Sequence, residues 1–151
     1  MKHPYVGNIE LMKLPKTAFL SSRKISPAGV LKCYDWAIEE RDKGTCVISG
    51  FHSPLEKDVL EFLLKGTQPI ILVLGRALYK RIPEVFQKPM DKNRLLIISP
   101  VSQIYKRQSE ASCLKRNSFI INIADKIVFG SLDENGGLYP LYEKAKVQKK
   151  L

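Results

Sequence analysis

The sequence predicts an open α/β sheet whose strands run parallel and whose two faces are covered by helices. Three observations carry this. Short, largely apolar runs recur at residues 17–20, 45–48, 69–74, 95–98 and 126–129. They lack the polar alternation of a half-exposed sheet, so they belong to strands buried on both faces. Segments with helical periodicity separate most of them, the pattern of parallel α/β proteins. The chain's 151 residues, 44% hydrophobic and 26% charged, suit a single domain with a substantial core. The expected architecture is therefore a three-layer, Rossmann-like domain over 1–151, with right-handed crossovers and strand order 3-2-1-4-5.

Each element has its own signals. Residues 1–15 read as an N-terminal arm with an apolar patch at Ile9, Leu11, Met12 and Leu14. The first strand, 17–20, ends at Ser21-Ser22-Arg23. Ser26 is placed to cap a helix with Pro27 at its first position. Val30, Leu31, Tyr34, Ala37 and Ile38 share one face of that helix, and Gly44 ends it. After the second strand, Ser53-Pro54-Leu55-Glu56 has the form of a capping box. Val59, Leu60, Leu63 and Leu64 form the stripe of the following helix, which Gly66 stops. The third strand, 69–74, is wholly apolar, and an irregular or helical piece at 83–88 leads to the fourth.

Residues 108–124 form the next helix. Leu114, Asn117 and Ile121 share one face, and Cys113, Ile120 and Ala124 another, which puts Asn117 on the buried stripe. A buried asparagine needs a full set of hydrogen bonds. Either it ties down a neighbouring loop, or it braces a phosphate loop while Arg116 faces the ligand. The fifth strand, a Gly136-Gly137 turn and a basic tail at 141–151 complete the chain.

Composition narrows the function. The apolar runs are strand-sized, too short to span a bilayer, and the first residues lack the apolar core of a signal peptide. The reading is a cytoplasmic protein without a membrane partner. Cys33, Cys46 and Cys113 are far apart and in apolar surroundings, which suits reduced structural thiols. With two histidines and no ligand spacing, no metal site is expected. No P-loop, GxGxxG or nucleophile–base pair is present, so no cofactor is expected either. The net charge of +10 favours an anionic partner.

Ligands of open parallel sheets bind at the strands' carboxyl ends, at the switch point of strand order. The expected order places this between the first and fourth strands. The residues past each strand are Ser21-Ser22-Arg23, Ser49-Gly50-Phe51-His52, Gly75-Arg76, Ser99-Pro100 and Gly130-Ser131. Tight turns favour Gly and Ser for backbone reasons in any such fold. Several together, joined by Arg23 and Arg76, read as a phosphate site built from backbone amides and guanidinium groups. Glu56 is explained by the capping box and is otherwise a candidate carboxylate. His52 either contacts a phosphate or base or anchors its loop. Phe51, Tyr79 and Tyr105 are stacking faces for bases or core and rim aromatics.

These turns resemble those of the DprA/Smf proteins. Ser21-Ser22-Arg23 is similar to their G-S-R turn, with serine for the first glycine, and Ser49-Gly50-Phe51 to their S-G-[LM] turn. Lys115-Arg116-Asn117 is similar to their R-N-R-[IV] segment, and Gly136-Gly137 lies where they carry a Ser/Gly-rich turn. Their A-R-G-[IV]-D run is replaced by His52-Ser53-Pro54-Leu55-Glu56. The match covers about residues 16–140, as in a compact, single-domain branch. The resemblance implies a Rossmann-like fold, dimerisation, and non-enzymatic binding of single-stranded DNA in DNA processing or uptake. Ser22, Arg23, Ser49, Gly50, Arg116 and Asn117 would line the pocket, the ligand being single-stranded nucleic acid or a smaller nucleotide. The wider superfamily includes LOG-type N-glycosidic hydrolases of nucleoside monophosphates. Their P-G-G-x-G-T-x-x-E signature is faintly echoed by Asn135-Gly136-Gly137-Leu138-Tyr139 and Glu143. Glu143 and Glu56 are the carboxylates that alternative would use.

Overall fold

The computed structural model describes residues 3–145 and 148–151. A seven-stranded sheet organises them. Its strands are β1 (Tyr5–Gly7), β2 (Lys16–Leu20), β3 (Cys46–Ser49), β4 (Ile70–Val73), β5 (Leu95–Ile98), β6 (Lys126–Phe129) and β7 (Gln148–Lys150). They lie in the order β1-β5-β4-β3-β2-β6-β7. All neighbours pair in parallel except β1, which runs antiparallel along β5 with Val6 opposite Ile97. The chain's two end segments thus add the two edge strands: Tyr5–Gly7 beside β5 and Gln148–Lys150 beside β6.

The helices are α1 (Pro27–Lys43), α2 (Pro54–Leu64), α3 (Gln87–Asp91), α4 (Glu110–Ile123) and α5 (Tyr139–Lys144). Their ends follow the sequence signals. Pro27 and Pro54 stand at first helical positions, and Gly44 closes α1 in the left-handed conformation at φ 81°. On one face of the sheet, Phe19, Val47, Ile70, Leu72 and Ile97 pack with Trp36 and Ala37 of α1 and Leu55, Val59 and Leu63 of α2. On the other, Ala18, Leu20, Ile48, Ile71, Leu96 and Phe129 meet Ile120 of α4, Leu138, and Leu11 from a 3-10 turn at Ile9–Lys13. Successive strand residues point to opposite layers, so burial on both faces requires the continuous apolar runs.

The α/β class with helices on both faces is as expected, but the strand order is not. Residues 95–98 were expected beside the first strand and instead pair with β4. The connection from β4 to β5 contains only a 3-10 turn and the five-residue α3, which carries the chain one strand over. The long crossover comes later. From β5 to β6 the chain must pass four strand positions, about 19 Å at ~4.8 Å each. The loop at 99–109 and the 14-residue α4 make that return together, α4 running back along the sheet to the amino end of β2, where Asp125 bonds Lys16. The switch point therefore lies between β2 and β6.

All three cysteines are free; Cys33 and Cys46 are buried and Cys113 is half-buried on α4. Burial pushes the Cys33 thiol up to about 11 and the Cys46 thiol up to about 12, leaving almost no reactive thiolate at neutral pH. Alkylation of the native protein at mildly alkaline pH, followed by mass spectrometry, should label Cys113 first. Cys33 and Cys46 should react only on unfolding; labelling of Cys46 at the rate of Cys113 would contradict this packing.

Candidate functional site

The residues after β2 and β3, the start of α4 and the turn after β6 enclose a cavity of about 520 Å³. The turns that form it are held by one carboxylate. Glu56, in the first turn of α2, is 2% exposed. Its Oε2 accepts from the Ser21 amide at 2.9 Å, and its Oε1 from the amides of His52 at 3.0 Å and Ser53 at 3.3 Å. The bond from Ser53 N is the glutamate's half of a capping box. The bonds to Ser21 and His52 go further and tie the end of β2 to the end of β3.

Between them the backbone is contorted. Phe51 adopts φ 46° although it is not glycine, a conformation that costs energy unless its surroundings fix it. Here the Phe51 ring is buried in the core, its amide donates to Ser49 Oγ at 3.1 Å, and Glu56 holds the next two amides. Ser53 Oγ, buried on the cavity wall, faces the Glu56 amide as the serine half of the capping box but makes no hydrogen bond to the described residues.

Arg116 projects from α4 at the position shared by Ser112 and Ile120, the helix's buried face. It is 3% exposed. Its Nε donates to Asn117 Oδ1 and its Nη1 to Gln108 Oε1, both at 2.8 Å. The guanidinium lies over Gly50, where an added Cβ would stand 2.5 Å from Cζ and Nη1. A side chain at 50 would therefore displace the Arg116 guanidinium. Among the described residues the ion pairs are Lys13–Glu10, Arg41–Asp42 and Lys43–Glu40, all elsewhere. Among the described residues Arg116 hydrogen-bonds only to the neutral oxygens of Asn117 and Gln108.

Arg23 and Lys24 stand exposed at the mouth. His52 lines the wall; burial lowers its pKa, and Arg116, Lys57 and Arg23 push the same way against Glu56. The imidazole is therefore neutral at pH 7.

Of the residues singled out from sequence, the cavity gathers Ser21, Ser22, Arg23, His52, Arg116, Asn117, Gly136 and Gly137. Gly50 lies behind the guanidinium. Ser49 and Phe51 are buried away from the lining, so the Phe51 ring offers no stacking face. Arg76 is also outside it, with Nε bonded to Ala77 O and its guanidinium 5.0 Å from the centre of the Tyr79 ring. The Ser21 and Ser22 amides of the expected cradle are not free. Ser21 N is taken by Glu56 and Ser22 N by Ser131 O at 2.8 Å.

The helix phase also differs. Arg116 takes the buried stripe, Asn117 is half-buried and Leu114 is 47% exposed. The stripe points at a cavity at this end of α4, where a polar residue replaces an apolar one. Sequence reasoning missed Lys24, Gln108, Ser109, Glu110, Cys113, Asp133 and Leu138. Asp133 had a usable signal: the Asp-Glu-Asn-Gly turn, in which its Oδ1 accepts from Asn135 N. Gln108 had none, because its role depends on where Arg116 ends.

The family model for DNA recombination-mediator protein A matches residues 4–150. The chain belongs to that family. Its fold is similar to that of DNA processing protein A from Streptococcus pneumoniae, at TM-score 0.73 and 22% identity, over 93% of this chain and 50% of that one. DNA processing protein A from Helicobacter pylori, described in a single-stranded DNA binding mode, gives 0.69 and 22%, over 91% of this chain and 66% of that one. This chain thus spans half to two thirds of those proteins' length. A molybdenum cofactor binding protein from Rippkaea orientalis is similar at 0.58 and 12%, over 91% and 77% of the two chains. At these identities the likeness is one of fold. A search of curated proteins finds no sequence match.

Replacing Glu56 by alanine leaves the amides of Ser21, His52 and Ser53 without their acceptor. Each lost partner of a buried donor costs about 1–3 kcal/mol, so Glu56→Ala should lose roughly 3 kcal/mol in urea unfolding. Glu56→Gln, which keeps one acceptor oxygen, should lose less. A loss under about 1 kcal/mol for the alanine variant would deny Glu56 its tying role.

Proposed function

We propose that this cavity binds the phosphate of a single-stranded nucleic acid or nucleotide, and that the chain serves DNA processing as a binding protein rather than an enzyme. The observation that carries this reading is Arg116: a buried guanidinium with no carboxylate within ion-pairing distance among the described residues. Burying an uncompensated charge costs several kcal/mol, and an arriving phosphate would offset that cost with charge-assisted bonds in a matching fork geometry. Ser53 Oγ, buried without a partner on the same wall, is a further donor. The volume lies within the usual range of ligand sites, about 300–1,000 Å³. The net charge of +10 would draw anions to it. Family membership supports the link to DNA processing, and the Helicobacter protein supports single-stranded DNA as ligand.

The two carboxylates named for the hydrolase alternative are not placed to act. Both Glu56 oxygens are committed to backbone amides. Glu143 is exposed on α5 and does not line the cavity.

Arg116→Ala should weaken binding of thymidine monophosphate and of a labelled oligothymidylate at low salt by roughly 10–100-fold, the worth of lost charge-assisted bonds. Its unfolding free energy should stay within about 1 kcal/mol of wild type, because a poorly compensated charge is removed. A stability loss with unchanged binding would make Arg116 structural. Undetectable wild-type binding, or affinity independent of salt, would remove the reading. Gly50→Ala should push the guanidinium out of position and weaken phosphate binding in calorimetric titration, with only a small change in melting temperature.

A further inference from the structure

A short sequence pattern occurs twice outside the cavity. Leu78-Tyr79-Lys80-Arg81 follows β4, and Ile104-Tyr105-Lys106-Arg107 follows β5. The sheet places these strands side by side, so the two loops meet. Ala77 N donates to Tyr105 O at 2.7 Å, and Leu78 N to Gln103 Oε1 at 3.0 Å. Gln103 Nε2 donates to Ser99 Oγ, which itself donates to Arg76 O at 2.6 Å. The loops therefore form one hydrogen-bonded unit.

Its two halves face differently. Leu78 and Tyr79 pack on the core, while Ile104 is 78% and Tyr105 43% exposed. Lys80, Arg81, Lys106 and Arg107 are exposed. None of them forms an ion pair among the described residues, and neither 76–82 nor 101–107 contains an acidic residue. The unit also abuts the cavity. Gln108, the residue after Arg107, lines it and holds Arg116. A Cβ on Gly75, the residue before Arg76, would stand 2.9 Å from Gln108 Oε1.

We infer that the paired Tyr-Lys-Arg loops form a second contact surface for single-stranded nucleic acid, which leaves the cavity past Gln108 and stacks an unpaired base on Tyr105. This rests on the phosphate reading of the cavity. The lysines and arginines supply phosphate contacts, and the Tyr105 ring, held by its backbone bond to Ala77, supplies a stacking platform. A mononucleotide occupies the cavity alone and gains nothing from this surface. A duplex has no free base to stack.

The test compares thymidine monophosphate with oligothymidylates of roughly 4–16 nucleotides, by calorimetry and fluorescence anisotropy. Wild-type affinity should rise with length. Tyr105→Ala should lower oligonucleotide affinity about 5–100-fold and leave monophosphate affinity unchanged, and Tyr105→Phe should retain binding. The Lys106→Ala, Arg107→Ala double variant should reduce the log–log salt slope for the oligonucleotide by about 1.4. No gain with length, or no effect of Tyr105→Ala, overturns this inference while monophosphate binding keeps the cavity reading intact. Duplex binding equal to single-strand binding, or equal competition by polyglutamate, also overturns it. Absence of all binding overturns both. Tyr105 is at the surface, so its variants should keep the wild-type melting temperature.

Discussion

Glu56 is the constraint on which the site depends. Two adjacent parallel strands end together, and each must turn away from the sheet with its amides satisfied. One buried carboxylate serves both turns by accepting from Ser21, His52 and Ser53. Its partners are backbone amides, and among the described residues it forms no ion pair. The amides of Ser21, His52 and Ser53 point to Glu56 and are not free for a ligand. The same bonds hold the backbone on either side of Phe51, whose left-handed conformation needs that support.

This division of labour leaves Arg116 uncompensated. Glutamate and arginine line one cavity but do not pair within it. The negative charge is satisfied by backbone, and the positive one is oriented by the side-chain oxygens of Asn117 and Gln108. A guanidinium set against Gly50 and aimed by neutral acceptors keeps its charge available to a ligand. Had Glu56 pivoted to meet it, both strand-end turns would have lost their acceptor and the cavity its field.

Topology supplies the arginine. α4 starts after β5, at one side of the sheet, and ends beside β6, beyond β2. It runs from the carboxyl ends of the strands, where Arg116 lies over Gly50, down the sheet face to the amino end of β2, where Asp125 bonds Lys16. The connection between β4 and β5 moves the chain only one strand over, so the loop after β5 meets the one after β4. The cavity and the Tyr-Lys-Arg surface are consequences of the same strand order.

The sequence by itself determined the five central strands and the helices α1, α2 and α4, but not the edge strands β1 and β7, which lie in segments read as an arm and a tail. Continuous apolar runs required strands buried on both faces, Ser26-Pro27 and Ser53-Pro54 started helices, and Gly44 closed one. It also marked part of the lining, because small residues and arginines follow strands where ligands bind. Only the tertiary structure decided the strand order, since pairing depends on how far each connection reaches. It alone decided that Glu56 serves two strands, a contact across 35 positions that no local pattern records. It alone turned Arg116 inward as well: helical periodicity assigns the buried face to apolar residues, and that assumption fails where a helix faces a polar cavity.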